Sequence, residues 1–257
     1  MEWIADRRCL VHLCVNYFDE NTVDKENILM SPGIMKYLSS SIGRKYVMAL
    51  SGLVWVLFVL THMVGNLLIF VGKDAYNMYS HKLITNPLIY LAEAALVIFI
   101  GAHAFTGIGL RLRNNRSKPN LYAVTPKGVK GASLASKSMI WSGSITLVFL
   151  VLHLITFKYG QHYVYSKDGI DVVVDGLKVR DIHQLVIECF EKPGYVAWYA
   201  FCLVLVGLHL YHGVSSSFQT LGLNHPKFNN AVKVFGWAYA IIVAAGFLAV
   251  PLYVFVF

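Results

Sequence analysis

Five histidines stand inside long apolar stretches of the chain, where an imidazole is costly to bury. They are His62, His103, His153, His209 and His212. A histidine inside a membrane span is uncommon, and its ring nitrogens bind metals or carry protons. A single one is as easily a packing residue that bonds to a neighbouring helix. Histidines on four separate apolar segments indicate a shared chemical role, and the segments that carry them decide what that role is.

The composition is that of an integral membrane protein. Of the 257 residues, 56% are hydrophobic and only 14% are charged, against about a quarter charged in soluble domains. The mean hydropathy is +0.56. The net charge of +8 does not indicate a nucleic-acid partner, because the basic residues cluster in loops between apolar segments. The four cysteines form neither a CxxC pair nor a zinc-binding spacing.

Five apolar segments each reach the ~20 residues that a helix needs to cross a bilayer. Isolated strands cannot span lipid, because their backbone groups would lack hydrogen-bond partners. We therefore predict an all-α integral membrane protein with five transmembrane helices in an antiparallel bundle. The segments run approximately over 46–72, 87–110, 138–157, 194–221 and 234–257.

The distribution of lysine and arginine orients this bundle. The loop between the second and third segments carries basic residues and no acid, whereas loop 158–193 carries both signs. Basic loops stay in the cytoplasm, so we predict a multi-pass protein of the inner, cytoplasmic membrane with its N-terminus inside. Residues 1–35 contain several acids and no signal-peptide pattern. We expect them to form a cytoplasmic extension, with disorder as one interpretation, and residues 36–257 to form the membrane domain.

The outer loop 158–193 carries a weak hairpin signal. The pairs Asp168-Gly169 and Asp175-Gly176 flank the apolar run 172–174. Asp-Gly pairs favour the tight turns that join neighbouring antiparallel strands. We expect this loop to cap the outer face of the bundle.

Depth sorts four of the histidines into two pairs. His62 and His153 lie ~12 Å and ~8 Å from the outer ends of the first and third helices. His103 and His209 lie ~12 Å and ~13 Å from the inner ends of the second and fourth, about 10 Å below the outer level in a ~30 Å core. A bis-histidine haem takes one imidazole from either side of its iron, at matched depth. The sequence therefore predicts a bundle that encloses two b-type haems, one at each level.

His212 is an alternative to His209, because the two histidines are three residues apart on roughly one helix face. His212 would lie ~4.5 Å nearer the inner surface, and the depth of His103 does not decide between them. The other role open to His212 is contact with a haem propionate or an inner-surface partner. Glycines beside the histidines would leave room for a flat macrocycle, although glycine also serves helix packing. They are Gly52, Gly65, Gly101, Gly107, Gly143, Gly207 and Gly213.

Glu93 is the only charged residue within the five predicted spans. A carboxylate at that depth is expensive unless it is protonated or paired. We predict that it binds a quinone head group or relays protons near the outer haem. The alternative is a protonated acid that is hydrogen-bonded between helices. Further candidates for an outer quinone site, each more readily an ordinary loop residue, are Tyr76, Tyr79, His81, His183 and Glu188.

Basic residues at the inner surface are candidates for pairing with haem propionates or an acidic partner. The first of them is Arg44, which directly precedes the first span together with Lys45. The tendency of basic loops to stay inside explains the same residues without any such role. The others are Arg111, Arg113 and Arg116.

Short stretches beside the histidines resemble a known family. They are 41–45 (SIGRK), 48–52 (MALSG), 61–66 (THMVGN), 115–119 (NRSKP) with Tyr122, 209–213 (HLYHG) and 218–222 (FQTLG). In these stretches the chain resembles the cytochrome b membrane-anchor subunit of succinate dehydrogenase and fumarate reductase, of the single-subunit, five-helix, two-haem type. The resemblance covers about residue 36 to the C-terminus.

The resemblance implies that the haem ligands are His62, His103, His153 and His209. The family pattern places a glycine four residues after the fourth ligand, which here favours His209 over His212. Some members carry an acid two residues before that ligand, serving a proton path. In this chain Gly207 stands at that position, so the sequence departs from those members there.

The resemblance also implies partners and a reaction. A flavoprotein subunit and an iron–sulfur subunit would dock at the cytoplasmic face, and electrons would pass between succinate or fumarate and a membrane quinone, expected to be menaquinone. This is electron transport linked to the tricarboxylic acid cycle. Dicarboxylate chemistry would belong to the partners, since this chain has neither a dinucleotide fingerprint nor an iron–sulfur cysteine set.

Two other functions stay open from the sequence. One is a di-haem anchor for another quinone-linked oxidoreductase. The other is a haem-free transporter or channel that uses the histidines to move protons. The direction of electron flow is also open, because succinate oxidation and fumarate reduction use the same parts.

Overall fold

The computed structural model describes residues 32–117 and 134–257. The chain divides into two units, Met1–Ser39 and Ser40–Phe257. In the first unit, helix α1 (Pro32–Ser39) is described, and it begins four residues before the predicted boundary at residue 36. The rest of the predicted N-terminal extension lies outside the described residues.

The second unit is built mainly from helices. Within residues 32–117 and 134–257, five helices are long and apolar enough to cross a membrane, which confirms the five predicted spans and indicates a multi-pass membrane protein. In chain order the elements are α2 (Ser41–Asn66) with the 3₁₀ turn Leu67–Phe70, α3 (Lys73–Thr85), α4 (Leu88–Arg116), α5 (Leu134–His153) with the π-helical turn Leu154–Lys158, β1 (Ser166–Lys167), β2 (Ile170–Asp171), β3 (Val173–Val174), β4 (Leu177–Lys178), α6 (Ile182–Phe190), α7 (Pro193–Thr220) and α8 (Pro226–Val256).

Polar residues at the helix ends explain why several helices extend beyond the apolar segments. The Ser40 side chain caps α2 by accepting from the Gly43 amide at 3.0 Å, so α2 starts five residues before the predicted span. Arg113 and Arg116 occupy the last turn of α4, where positive charge complements the helix dipole. An apolar segment ends at its first charged residue, whereas the backbone hydrogen bonds of the helix continue past that residue.

The tightest packing joins α7 and α8, with α2 lying against both. Their shared core includes Met63, Val214 and Val243, and the Tyr239 hydroxyl donates to the Val56 carbonyl at 2.5 Å. In contrast, no residue of the most apolar stretch of α4 is buried. Large apolar side chains are exposed around the helices, as expected where they face lipid rather than water. Examples are Leu57, Phe105, Trp141 and Ile242.

Loop 158–193 folds into two hairpins where one was predicted. β1 pairs antiparallel with β2, and β3 pairs antiparallel with β4. Both turns are the Asp-Gly pairs, and all four turn residues have positive φ, from 51° at Asp175 to 80° at Gly169. Positive φ at both central residues is typical of the type I′ turn that joins two-residue hairpins.

Two short helices replace parts of the predicted loops. Tyr76, Tyr79 and His81 lie on α3, and His183 and Glu188 lie on α6. Their placement in loops was therefore wrong. Both helices are too short to span a bilayer, so a search for long apolar runs does not detect them. Together with the hairpins they form a cap, defined as residues 73–85 and 166–190, in which α3 contacts α6.

A cluster of buried polar residues connects α3 to the start of α6 through hydrogen bonds and an ion pair. The Asp181 side chain is only 2% exposed and lies 2.7 Å from Lys73 Nζ. It accepts from Asn77 Nδ2 at 2.9 Å and from the Gln184 amide at 3.0 Å. The Asn77 Oδ1 accepts from the His183 amide at 3.0 Å. Burial alone would raise the pKa of Asp181, but the hydrogen bonds from Lys73, Asn77 and the Gln184 amide outweigh it and lower that pKa.

We predict that Asp181→Asn destabilises the cap by about 1–3 kcal/mol, because an amide nitrogen replaces one carboxylate oxygen and one of the groups bonded to Asp181 loses its acceptor. A carboxylate whose pKa is lowered by folding stabilises the fold above its unfolded pKa of about 3.9 and loses that contribution as the pH falls. Thermal unfolding in detergent at several pH values measures both effects. The wild type should lose stability in acid more steeply than the variant.

The matched control is Asp171→Asn, which removes a carboxylate that pairs with Lys178 at 2.9 Å but is 42% exposed. Exposed ion pairs contribute little to stability. An equal loss of thermal stability in the two variants would contradict the inference that the buried cluster stabilises the cap.

Candidate functional site

The four candidate ligands lie in two pairs. The rings of His62 on α2 and His153 at the end of α5 have centroids 5.8 Å apart and planes at 90°. The rings of His103 on α4 and His209 on α7 have centroids 6.1 Å apart and planes at 72°. We name them the outer pair (His62 and His153) and the inner pair (His103 and His209), after the predicted topology. Their role as iron ligands stays a prediction.

The spacing within each pair fits an iron between two imidazoles. Histidine nitrogens bind first-row metals at about 2 Å, so two axial rings on one iron have centroids roughly 6 Å apart. Among residues 32–117 and 134–257, no group of three or more His, Cys, Asp or Glu could hold a bare metal ion. A haem iron takes only two protein ligands, because the porphyrin supplies the other four. The donor sets therefore suit a haem better than a free ion.

Three of the four histidines have an oxygen beside Nδ1. A metal-bound histidine usually donates its second N–H to such an oxygen, which fixes the tautomer and the ring orientation. The contacts are His103 Nδ1 with the Met48 carbonyl at 3.0 Å, His153 Nδ1 with the Tyr199 hydroxyl at 3.2 Å and His209 Nδ1 with the Ser142 hydroxyl at 3.3 Å. In each of the three, Nε2 is the nitrogen left for a metal.

His62 is held differently. Its Nε2 lies 3.4 Å from Asn66 Nδ2, and the same amide donates to the His62 carbonyl at 2.8 Å. Asn66 Oδ1 in turn accepts from the Tyr76 hydroxyl at 2.9 Å. Tyr76 is buried in the cap, and burial raises its pKa. Hydrogen bonds thus link the outer pair to α3, a connection that no sequence pattern indicates.

His209, rather than His212, is the α7 histidine that faces His103. His212 lies three residues further along α7 and is partly buried. The rotation of α7 about its axis decides between the two residues, and depth does not report rotation. The geometry favours His209 as the member of the inner pair.

Two of the predicted glycines let the inner rings approach the neighbouring helices. A Cβ at Gly52 would lie 3.1 Å from His103 Cε1, and one at Gly143 would lie 3.1 Å from His209 Cε1. The other predicted glycines do not adjoin the rings of the inner pair. A Cβ at Gly65 would meet the Tyr79 ring at 2.8 Å, and one at Gly101 or Gly213 would meet nothing within 4 Å.

Glu93 on α4 forms an ion pair with Lys158. The side chains are 39% and 37% exposed, so Glu93 is a paired rather than a fully buried acid. Lys158 ends the π-helical turn that directly follows His153, and such turns are frequent at functional sites. No sequence pattern indicates this partner, because Lys158 lies in a predicted loop. The quinone role of Glu93 stays a prediction.

The remaining candidates lie apart from the histidine pairs or take part in cap packing. His81 is 3% exposed, and its Nδ1 has no hydrogen-bond partner among the described residues. The Glu188 carboxylate accepts from Tyr163 at 2.5 Å and from Gln184 at 2.9 Å, and these bonds lower its pKa. Arg44 lies beside Gly109 of α4, and its role toward a propionate stays a prediction.

Comparison of the chain with protein-family models, with curated proteins and with solved structures gave no match. The histidine pairs and their surroundings are therefore the basis for inferring the function.

We predict that Glu93→Lys and Lys158→Glu each lower the thermal stability of the protein in detergent, because each places two like charges side by side. The double variant with exchanged charges should recover most of that loss. If the double variant loses as much thermal stability as the two single variants lose together, the result would contradict a pairing of these residues.

Proposed function

We propose that the chain is a di-haem cytochrome b membrane anchor of succinate:quinone oxidoreductase, the complex that acts as succinate dehydrogenase or fumarate reductase. The observation that carries the proposal is the approach of four histidines from four apolar helices in two pairs, with ring centroids 5.8 Å and 6.1 Å apart. The resemblance of the stretches beside these histidines to that family supports the choice among membrane cytochromes. In the proposal, the five helices form an antiparallel bundle around two b-type haems.

The histidines would hold each haem from both faces. His62 and His153 would ligate the outer iron, and His103 and His209 the inner one. Two axial imidazoles leave no open position on an iron, which favours electron transfer over oxygen chemistry. When bound, haem supplies one-electron transfer at each of the two levels. The Nδ1 contacts of His103, His153 and His209 would keep their rings oriented and leave Nε2 as the nitrogen that ligates iron.

The two ends of the bundle would face different partners. At the cytoplasmic end, the basic inner surface with Arg44 would lie near the inner haem propionates and the docked flavoprotein and iron–sulfur subunits. At the other end, Glu93 lies near the end of α5 that carries His153, through its ion pair with Lys158. A quinone, expected to be menaquinone, would exchange electrons there, with Glu93 as a proton acceptor or donor. The dicarboxylate reaction itself belongs to the partner subunits.

The first test is the absorption spectrum of the protein isolated from its membrane. We expect a reduced b-type α band and two haems per chain. Replacing His103 or His209 by alanine should remove one haem and leave the other, and replacing His62 or His153 should remove the complementary one. A haem-free protein would overturn the proposal and favour a transporter that uses the histidines for protons.

The matched control is His212→Ala, which should retain both haems. Loss of the inner haem in this variant, together with its retention in His209→Ala, would exchange the roles of the two residues. Loss of both haems from each single ligand variant would contradict the pairing.

A second test uses the glycines that adjoin the inner rings. Gly52→Val and Gly143→Val should lower inner haem content, because the added side chains would displace His103 and His209. Gly194→Val is the control, since a Cβ there meets nothing within 4 Å. Haem content per chain, measured after equal purification, decides the comparison. Full inner haem content in both Gly52 and Gly143 variants would contradict the geometry of the pair.

A further inference from the structure

Helices α5 and α7 exchange hydroxyl contacts with each other's histidine. Ser142 on α5 lies beside His209 on α7, with 3.3 Å between Oγ and Nδ1. Tyr199 on α7 lies beside His153 on α5, with 3.2 Å between the hydroxyl oxygen and Nδ1. Each helix thus carries one histidine of a pair and the hydroxyl that touches a histidine of the other pair.

Both hydroxyls are buried and held in place. Ser142 is 3% exposed, and its hydroxyl also lies 3.2 Å from the Met139 carbonyl, to which it donates. Tyr199 is 6% exposed, and its ring packs edge-on against three aromatic neighbours. The neighbours are Phe149, Phe157 and Phe190, with centroids 4.9 Å, 6.0 Å and 5.0 Å away.

The tautomer fixes the direction of these two hydrogen bonds when Nε2 binds a metal. A neutral imidazole that gives Nε2 to iron carries its proton on Nδ1. The Nδ1–H of His209 then donates to Ser142, and that of His153 donates to Tyr199. An acceptor at this position makes the imidazole a stronger donor to iron, which stabilises the oxidised state.

We propose that Ser142 and Tyr199 are positioning residues that lower the reduction potentials of the inner and the outer haem separately, through His209 and His153. The inference rests on the proposed function, since it requires haem at both pairs. It goes beyond that function because it assigns one hydroxyl to each haem. Neither hydroxyl touches a substrate, and each acts through the imidazole that it orients.

The two pairs differ in what remains when the hydroxyl is removed. In the inner pair, His103 keeps the Met48 carbonyl as an acceptor at 3.0 Å. In the outer pair, the contact of His62 is with the amide of Asn66, which is a donor group. Of the contacts that residues 32–117 and 134–257 make, Tyr199 therefore provides the acceptor for the outer pair. We expect removal of its hydroxyl to shift a potential further than removal of the Ser142 hydroxyl.

The experiment is a redox titration of the α band in the intact complex, comparing Ser142→Ala and Tyr199→Phe with the wild type. Tyr199→Phe keeps the aromatic packing and removes only the hydroxyl. Each variant should raise the potential of one titration step, and the two variants should raise different steps. The single-haem proteins made by replacing His62 or His209 identify which step belongs to which pair.

Matched controls remove a hydroxyl from the same helices without touching a histidine of either pair. Ser144→Ala lies two residues from Ser142, at an exposed position. Tyr195→Phe removes the hydroxyl from the ring that stacks on Tyr199 with centroids 6.5 Å apart. Neither control should move a potential. Shifts in the controls equal to those in the variants would reveal a general effect of packing and would overturn the inference.

The outcomes separate this inference from the function on which it rests. A wild type without a haem band overturns the proposed function. A wild type with two steps, neither of which moves in Ser142→Ala or Tyr199→Phe, overturns the inference and leaves the function in place. If Tyr199→Phe loses its haem, the Ser142→Ala variant provides the test. A raised potential of the inner titration step in that variant supports the inference, and an unchanged potential overturns it.

Discussion

The structure depends on the need to satisfy imidazoles inside apolar helices. A neutral imidazole has one donor and one acceptor nitrogen, and neither finds a partner in lipid. In three of the four paired histidines, Nδ1 lies within hydrogen-bond distance of an oxygen of a neighbouring helix. Each such contact fixes the rotation of one helix against another. The packing of α2 with α4 and of α5 with α7 therefore serves the site as much as the fold.

Some helices contribute mainly to the packed core, and others mainly carry residues of the candidate site. α7 and α8 share a close-packed core with α2, and the α8 residue Tyr239 is bonded to the α2 backbone at Val56. α4 contributes no buried residue in its most apolar stretch, although it carries His103 and Glu93. In the proposed function, a haem held by His103 would contribute to holding α4 in the bundle.

The sequence predicts the five apolar spans well and the rotation of each helix about its axis poorly. Hydropathy and charge place each residue along the membrane normal, so the five spans could be predicted from the chain alone. The Asp-Gly turns could also be predicted, because their signal is local. The contacts of Ser142, Tyr199 and Lys158 depend on how each helix is turned about its axis, and in α5 on a π-helical turn. No local pattern reports that angle, and the short helices α3 and α6 lack the length that hydropathy detects.

The surroundings of the two pairs differ in a way that bears on their roles. The inner pair is bordered by a backbone carbonyl, a serine and two glycines, all within the transmembrane helices. The outer pair is bordered by Tyr199 and by Asn66, whose side chain bonds to Tyr76 of the cap. Tyr76 in turn packs edge-on against His183 of α6, with ring centroids 6.3 Å apart. A movement of the cap therefore reaches His62 through two hydrogen bonds, whereas no described bond links the cap to the inner pair. In the proposed function, an inner pair bordered only by transmembrane helices would serve electron transfer, and an outer pair joined to the polar cap would serve a reaction that also exchanges protons and a substrate.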